Sequence, residues 1–352
     1  MLNANLMRST STQADRADHL DTSKLEAWLE HTLARPCGPV QLRRFEGGQS
    51  NPTYRLQLGD RHLVLRRKPD GPLLKGAHAI EREFCVTQAL FARGFPVAEP
   101  IAFCEDTAVL GTPFYVMAHV EGRNFWNAAL DEIPDGDRAP IYRTSAITIA
   151  QLHDLPWVEM GLKDFGRPSG FIQRQTERWS AQYEADMLAG RNPDMDALVD
   201  WLRCQQVPNT TPSLVHGDFR LDNMLFDLST PRVLAVLDWE LATLGDPISD
   251  FVYSLLPYLL PPQLMGGLNS KLPEGIPSLE TQVETYCACR GLSGISHLNF
   301  YLAFNLFRFA AILHGIKGRL MRGTAASARA PVMAEQFPVV ARLGRQFAEA
   351  CL

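Results

Sequence analysis

No uninterrupted apolar run in this chain is long enough to cross a bilayer. The longest, Phe251 to Pro262, is short and contains Pro257, whereas a spanning helix needs about 20 consecutive apolar residues. The stretch from 298 to 316 is longer but carries Asn299, Asn305, Arg308 and His314, which suits a buried helix of the core. An excess of positive charge is also missing. Lys and Arg number 34 against 39 Asp and Glu, leaving a net −5, so no global basic field recruits nucleic acid or anionic lipid. Cysteine is sparse and badly placed for zinc: the seven residues are scattered, and Cys287 and Cys289 form only C-x-C without partner ligands at zinc spacing. An odd number of dispersed cysteines suits reduced thiols and a cytoplasmic setting. The opening MLNANLMRSTSTQADRADH has no apolar signal core. No internal repeat points to a solenoid or propeller.

What remains is an ordinary globular composition, 46% hydrophobic and 21% charged over 352 residues, enough to bury a substantial core in one large domain or two lobes. Residues 1–21 are polar and rich in Ser, Thr and Asp, the composition of a disordered extension. Asp21 or Thr22 then caps an expected helix over Lys24 to Leu33. Short strands are expected over Val40 to Phe45, Thr53 to Leu58, Arg61 to Arg67, Pro100 to Cys104 and Pro113 to Val120, with a helix over His78 to Arg93. From Pro134 the pattern turns helical, with a helix expected at 142–155, one or two within 171–204, and others at 248–259, 278–290, 297–318 and 331–350.

The most informative stretch is LVHGDFRLDNMLFDLSTPRVLAVLDWE, residues 214–240. Leu214 and Val215 end a buried run, and His216, Gly217 and Asp218 begin a turn. Met224 to Phe226 and Val233 to Leu237 read as strands flanking a turn at Asp227 to Pro231. Antiparallel pairing returns Asp238 to the neighbourhood of Asn223, with Asp218 just before the first strand. The trio offers one candidate base and two oxygen ligands for a hard cation such as Mg2+. Asp and Asn also favour turns for purely local reasons, but their joint spacing, H-x-D-x-x-x-x-N before a strand pair ending in Asp, is that of the protein-kinase catalytic loop. Gly217 stands where kinases carry Arg, and Asp-Trp-Glu replaces Asp-Phe-Gly.

HGDFRLDNMLFD followed by VLAVLDWELATLGDPISDF resembles the aminoglycoside phosphotransferase family, and more narrowly the branch that includes kinase domains fused to some acyl-CoA dehydrogenases. LVLRRKP at 63–69 and FRFAAILHGIKGR at 307–319 match that branch, and the resemblance covers about residues 25–350. It implies an α+β, protein-kinase-like fold of two lobes. A small antiparallel-sheet lobe would span 22–118, and a larger, mainly α lobe 119–352. It also implies ATP and Mg2+ as cofactors, Asp218 as base, Asn223 and Asp238 as magnesium ligands, and Asp246 and Asp250 as braces. For those last two, helix capping is an equally good account.

The remaining candidates come from local pattern, and some also from the same resemblance. Gly47, Gly48, Ser50 and Asn51 form a small-residue loop suited to covering nucleotide phosphates with backbone N–H groups. Among Arg66, Arg67 and Lys68, alternation puts Arg66 and Lys68 on the face of Val64, and the family pattern favours Arg66 as the phosphate cation, paired with Glu83 rather than Glu81. Met117, His119 and Val120 fall where the adenine would sit, the last two through main-chain groups. Arg220 is placed to counter phosphoryl charge or to pair with Asp222. His153 reads as a packed helix-end residue. Arg308, His314, Lys317, Arg319 and Arg322 either hold an anionic acceptor such as a CoA thioester or simply favour a helix C-terminus. The expected activity is phosphorylation of a small-molecule hydroxyl, best matched by a hydroxyacyl-CoA such as a 4-hydroxyacyl-CoA, with a functional link to an acyl-CoA dehydrogenase. Aminoglycoside or sugar phosphorylation and non-catalytic nucleotide binding are the alternatives.

Overall fold

The computed structural model of the chain describes residues 20–34, 36, 38–45, 51–71, 79–208, 210–325 and 327–351. Residues 1–19 of the expected extension, and Gly47, Gly48 and Ser50 of the expected phosphate loop, lie outside the described residues. Asp21 opens α1 (Thr22–Leu33) by accepting from the N–H groups of Ser23 and Lys24 at 3.2 and 3.4 Å, the role short acidic side chains favour at a helix start. Alternating apolar residues then build β1 (Val40–Arg44), β2 (Thr53–Leu58) and β3 (Arg61–Arg67). Next come α2 (Ile80–Ala92), β4 (Pro100–Cys104), the short α3 (Thr107–Leu110) and β5 (Phe114–Ala118). The five strands form one antiparallel sheet in the order β1-β2-β3-β5-β4. The last strand ends at Ala118, opposite Leu63, short of the expected Val120.

The rest of the chain is mainly helical. Asp135 and Asp137 place acids in the first turn of α4 (Asp135–Asp154), where they complement the helix dipole, so it begins where the pattern turns helical after Pro134. Of the one or two helices expected within 171–204 there are two, α5 (Phe171–Ala185) and α6 (Pro193–Cys204), since Asn192 caps the second through the Met195 N–H at 3.0 Å and Pro193 opens it. Four short strands follow: β6 (Ser213–Val215), β7 (Met224–Phe226), β8 (Val233–Val236) and β9 (Thr243–Gly245). They pair as β6 with β9 and β7 with β8. The single helix expected over 248–259 is broken at Leu255 into α7 (Pro247–Ser254) and α8 (Leu256–Leu259), where Pro257 cannot continue the first. After them come α9 (Leu279–Arg290), α10 (Leu298–Met321), α11 (Ala330–Glu335) and α12 (Phe337–Glu349). The expected α+β arrangement, an antiparallel sheet followed by a mainly helical region, is present.

Two apolar cores lie on either side of the site. The smaller joins α1, α3 and one face of the sheet; the larger is built around α10. Val86 and Leu90 of α2, with Phe95 and Val97, belong to the larger core, so α2 ties the sheet to the helical region. Arg82 reinforces this by donating to the Phe165 carbonyl at 2.6 Å. Among the described residues no helix is long and apolar enough to cross a membrane.

The cations at the end of α10 serve packing. His314 meets the Gly190 carbonyl at 2.8 Å, Lys317 donates to Ala189 at 2.6 Å, and Arg322 pairs with both oxygens of Asp186 at 2.9 and 2.8 Å. They clamp the turn after α5, which favours the helix-end reading over an anion site. Leu306 sits fully buried in the middle of α10. Leu306→Ala is expected to lower unfolding stability by about 2–5 kcal/mol, measured as a shift in denaturant midpoint at unchanged slope.

Candidate active site

The site is assembled from the turn after β6 and the turn after β8. In the β7–β8 ladder Met224 faces Val236, and the Leu237 N–H donates to the Asn223 carbonyl at 2.8 Å. The hairpin therefore returns Asp238 beside Asn223, as the sequence pattern requires. Asn223 Nδ2 donates to the Asp218 backbone carbonyl at 2.9 Å and to its carboxylate at 3.1 Å. With the amide nitrogen committed to Asp218, Asn223 Oδ1 is the donor atom left for a cation. Asp238 adopts a left-handed backbone, φ 63, tolerated by Asp better than by most residues yet still strained.

His216 joins the two turns. Its Nε2 lies 2.8 Å from the Leu237 carbonyl, and its Nδ1 lies 3.2 Å from the Asp218 N–H. A carbonyl only accepts and an amide N–H only donates, so the ring carries its proton on Nε2 and is neutral. Trp239 packs edge-on against it, with ring centroids 4.7 Å apart. Behind this turn, the Asp250 carboxylate accepts from the N–H groups of His216 and Gly217, both at 2.8 Å. Gly217 has φ +87, and a Cβ there would meet Leu241 at 3.0 Å. The position where kinases carry Arg is therefore closed to a side chain.

Asp250 also accepts from His153 Nε2 at 3.1 Å, while His153 Nδ1 accepts from the Tyr286 hydroxyl at 2.8 Å. Asp250 thus braces the turn, whereas Asp246 caps α7 through the Ser249 N–H at 2.8 Å and takes the Thr210 hydroxyl at 2.6 Å. His153 is packed inside, as expected.

Arg220 lies between two carboxylates. Its Nη2 donates to Asp222 at 2.6 Å, and its Nε approaches Asp218 at 3.3 Å as an ion contact without hydrogen-bond alignment. Burial works against the Arg220 charge, but Asp218 and Asp222 carry its pKa upward. Tyr253 was not legible as a site residue. Burial first, and then the negative charge of Asp218, push its phenol well up, so it stays a neutral donor against that carboxylate.

Across the cleft, Arg66 is the strand cation that reaches the site. Its Nε lies 3.0 Å from Glu83, and its Nη2 lies 2.9 Å from Asp238 and 3.6 Å from Glu240. Arg67 faces the other way, to Thr112 and Asp70, as strand alternation requires. Glu83 is buried and Glu81 exposed. Burial pushes the Glu83 carboxyl up to about 7, against the pull of Arg66. Glu240, which the sequence reading left out, joins this group because the turn after Asp238 folds back toward β3.

The remaining candidates sit around the sheet. Asn51 is buried at the start of β2, and its carbonyl accepts from the Thr53 hydroxyl at 3.0 Å. Met117 is half-buried on β5, paired with Val64. His119 and Val120 follow that strand, and the His119 N–H already donates to the His62 carbonyl at 3.3 Å. For a ligand His119 therefore offers its carbonyl, leaving an N–H to come from elsewhere. Among the described residues no group of three or more His, Cys, Asp or Glu could hold a metal. The donor set here is instead one carboxamide and one carboxylate, which fits magnesium, an ion that keeps several waters and shares phosphate oxygens.

A model of the phosphotransferase enzyme family matches residues 41–270. The chain is 39% identical over 350 residues to acyl-CoA dehydrogenase family member 11 of Gallus gallus, covering 96% of this chain and 45% of that protein. It is 41% identical over 329 residues to acyl-CoA dehydrogenase family member 10 of Mus musculus, covering 92% of this chain and 31% of the relative. The chain thus spans less than half the length of these curated relatives. The crystal structure of a putative aminoglycoside phosphotransferase from Ralstonia eutropha is 40% identical, with a TM-score of 0.84, covering 94% of this chain and 98% of that one.

The His153–Asp250 contact has a pH signature. Burial pushes His153 below its ordinary 6.5, so the unfolded chain binds the proton more readily and stability falls as pH drops below that value. Wild-type Tm is expected to decline between about pH 7 and 5 more steeply than that of His153→Gln, which keeps a donor and an acceptor but does not titrate. Equal slopes in a Tm series across this window would contradict the assignment.

Proposed function

The chain belongs to the phosphotransferase enzyme family, and on that premise we propose an ATP- and magnesium-dependent kinase of a small-molecule hydroxyl, with a hydroxyacyl-CoA, such as a 4-hydroxyacyl-CoA, as acceptor. The observation that carries the reading is the meeting of Asp218 with Asn223 and Asp238, opposite the Arg66–Glu83 pair. In this mechanism Asp218 accepts the proton of the acceptor hydroxyl as its oxygen forms a bond to the γ-phosphorus. The bond from that phosphorus to the bridging oxygen of ADP breaks, and the proton later passes to solvent. Arg220 and the Asn223 amide hold the carboxylate in position. Arg66, oriented by Glu83, exchanges Asp238 for phosphate oxygens, and Arg supplies paired donors where kinases use Lys. Asn223 Oδ1 and Asp238 would hold Mg2+, which would offset the charge of the phosphates.

The acyl-CoA part of the proposal rests on the names of the curated relatives, and with it goes a functional link to an acyl-CoA dehydrogenase.

In an ADP-release assay across hydroxyacyl-CoAs, aminoglycosides and sugars, the hydroxyacyl-CoAs are expected to give stoichiometric phosphorylated product. Asp218→Ala should lower that turnover by about 100- to 10,000-fold with ATP binding retained; a matching loss of nucleotide affinity would remove Asp218 from the base role. Asp238→Ala should abolish the dependence of ATP binding on magnesium, and an unchanged magnesium titration would contradict its place as a ligand.

A further inference from the structure

The two faces of the five-stranded sheet are covered unequally. Leu56, Leu58, Leu63 and Leu65 turn one face into the smaller core. By alternation the other face carries Arg55, Val64 and Arg66, and Arg66 shows that it looks into the cleft, because it reaches Glu83 and Asp238. Helix α2 covers the β4–β5 half of this face, where Phe84 packs on Phe103 and Tyr115 with ring centroids 5.6 and 5.7 Å apart. On the β1–β2 half Arg43 and Arg55 stay exposed.

The strand register sets these side chains in one row. Arg43 faces Arg55, Arg55 faces Val64, and Val64 faces Met117. The row lies two residues along β3 from Arg66, about 7 Å away, which is within the length of one nucleotide. Val64 is 8% exposed yet belongs to neither apolar core. Two arginines directly opposite each other repel, and neither has a carboxylate partner among the described residues. His119, just past β5, is held below its ordinary value first by burial and then by the Arg55 charge. Arg55 therefore carries its guanidinium toward β5, on the side of Val64 and Met117. We propose that the nucleotide whose phosphates meet Arg66 rests its base against Val64 and Met117, and that the Arg55 guanidinium stacks on the same ring face. A guanidinium suits this place because it is planar, weakly hydrated and stacks on aromatic rings. Arg43, one strand further out, repels Arg55 toward the base. The inference rests on the nucleotide-dependent kinase reading and adds to it the side chain that holds the base.

The test is calorimetric titration of the full chain with ATP and magnesium, which needs no acceptor. Arg55→Ala should weaken binding on the order of fivefold, at an unchanged Tm because the side chain is exposed. Arg55→Tyr, which keeps a planar face without the charge, should restore most of the affinity. Arg55→Lys, which keeps the charge without the plane, should not. Arg43→Ala should cost less than Arg55→Ala. Full affinity in Arg55→Ala would overturn the inference and leave both arginines to solvent. Restoration by Arg55→Lys would also overturn it, since plain attraction for the phosphates then accounts for the loss. A wild-type chain that binds no ATP with magnesium sinks the kinase reading itself, whereas an ATP-binding chain indifferent to Arg55 sinks this inference alone.

Discussion

A single buried carboxylate holds the turn that carries Asp218 in shape. Asp250 accepts two consecutive backbone N–H groups, from His216 and Gly217, and is itself held by His153. Those two N–H groups have no strand or helix partner, so without Asp250 they would be buried and unsatisfied. Everything downstream inherits this constraint. His216 is placed so that its neutral ring links the Asp218 amide to the Leu237 carbonyl, and Asp238 follows directly. The short pairs β6–β9 and β7–β8 supply the rails, but the carboxylate fixes where the turn between them points.

The second organising contact crosses the cleft. Arg66 comes from the sheet, Glu83 from the helix behind it, and Asp238 and Glu240 from the turn after β8. α2 is suited to this because it packs with the larger core while its Glu83 faces the sheet. A shift of the sheet relative to the helical region is therefore felt at once by the group that the proposed mechanism assigns to phosphate binding. Buried ion pairs contribute little net stability on average, so specificity of arrangement is the better account of this one.

Much of this was legible because it is local. The interval from Asp218 to Asn223 and the hairpin to Asp238 depend on turn composition and strand pairing within one short segment. Strand alternation put Arg66 and Arg67 on opposite faces, and family position favoured Arg66 and the buried Glu83 over the exposed Glu81. The brace was open in the sequence between two explanations, and the structure divides them, with Asp246 capping and Asp250 bracing. What did not show depends on distant chain. Tyr253 and Glu240 reach the site through helix packing and a backfolded turn, and no spacing rule marks either. The cations of α10 were open between an anion site and a helix end for the same reason, since their partners at 186–190 lie more than a hundred positions away. The helix break at Leu255 was missed where apolar periodicity ran through a proline.

The crowding around Arg66 carries one more consequence. One guanidinium faces three carboxylates, at 3.0, 2.9 and 3.6 Å, and burial, with Asp238 and Glu240 adding to it, pushes Glu83 up to about 7. A cleft of this kind is anionic, so a bare polyphosphate would approach against repulsion. On the proposed kinase reading, a divalent ion carried by the nucleotide would offset that excess, and the site would favour the metal complex over the free polyphosphate.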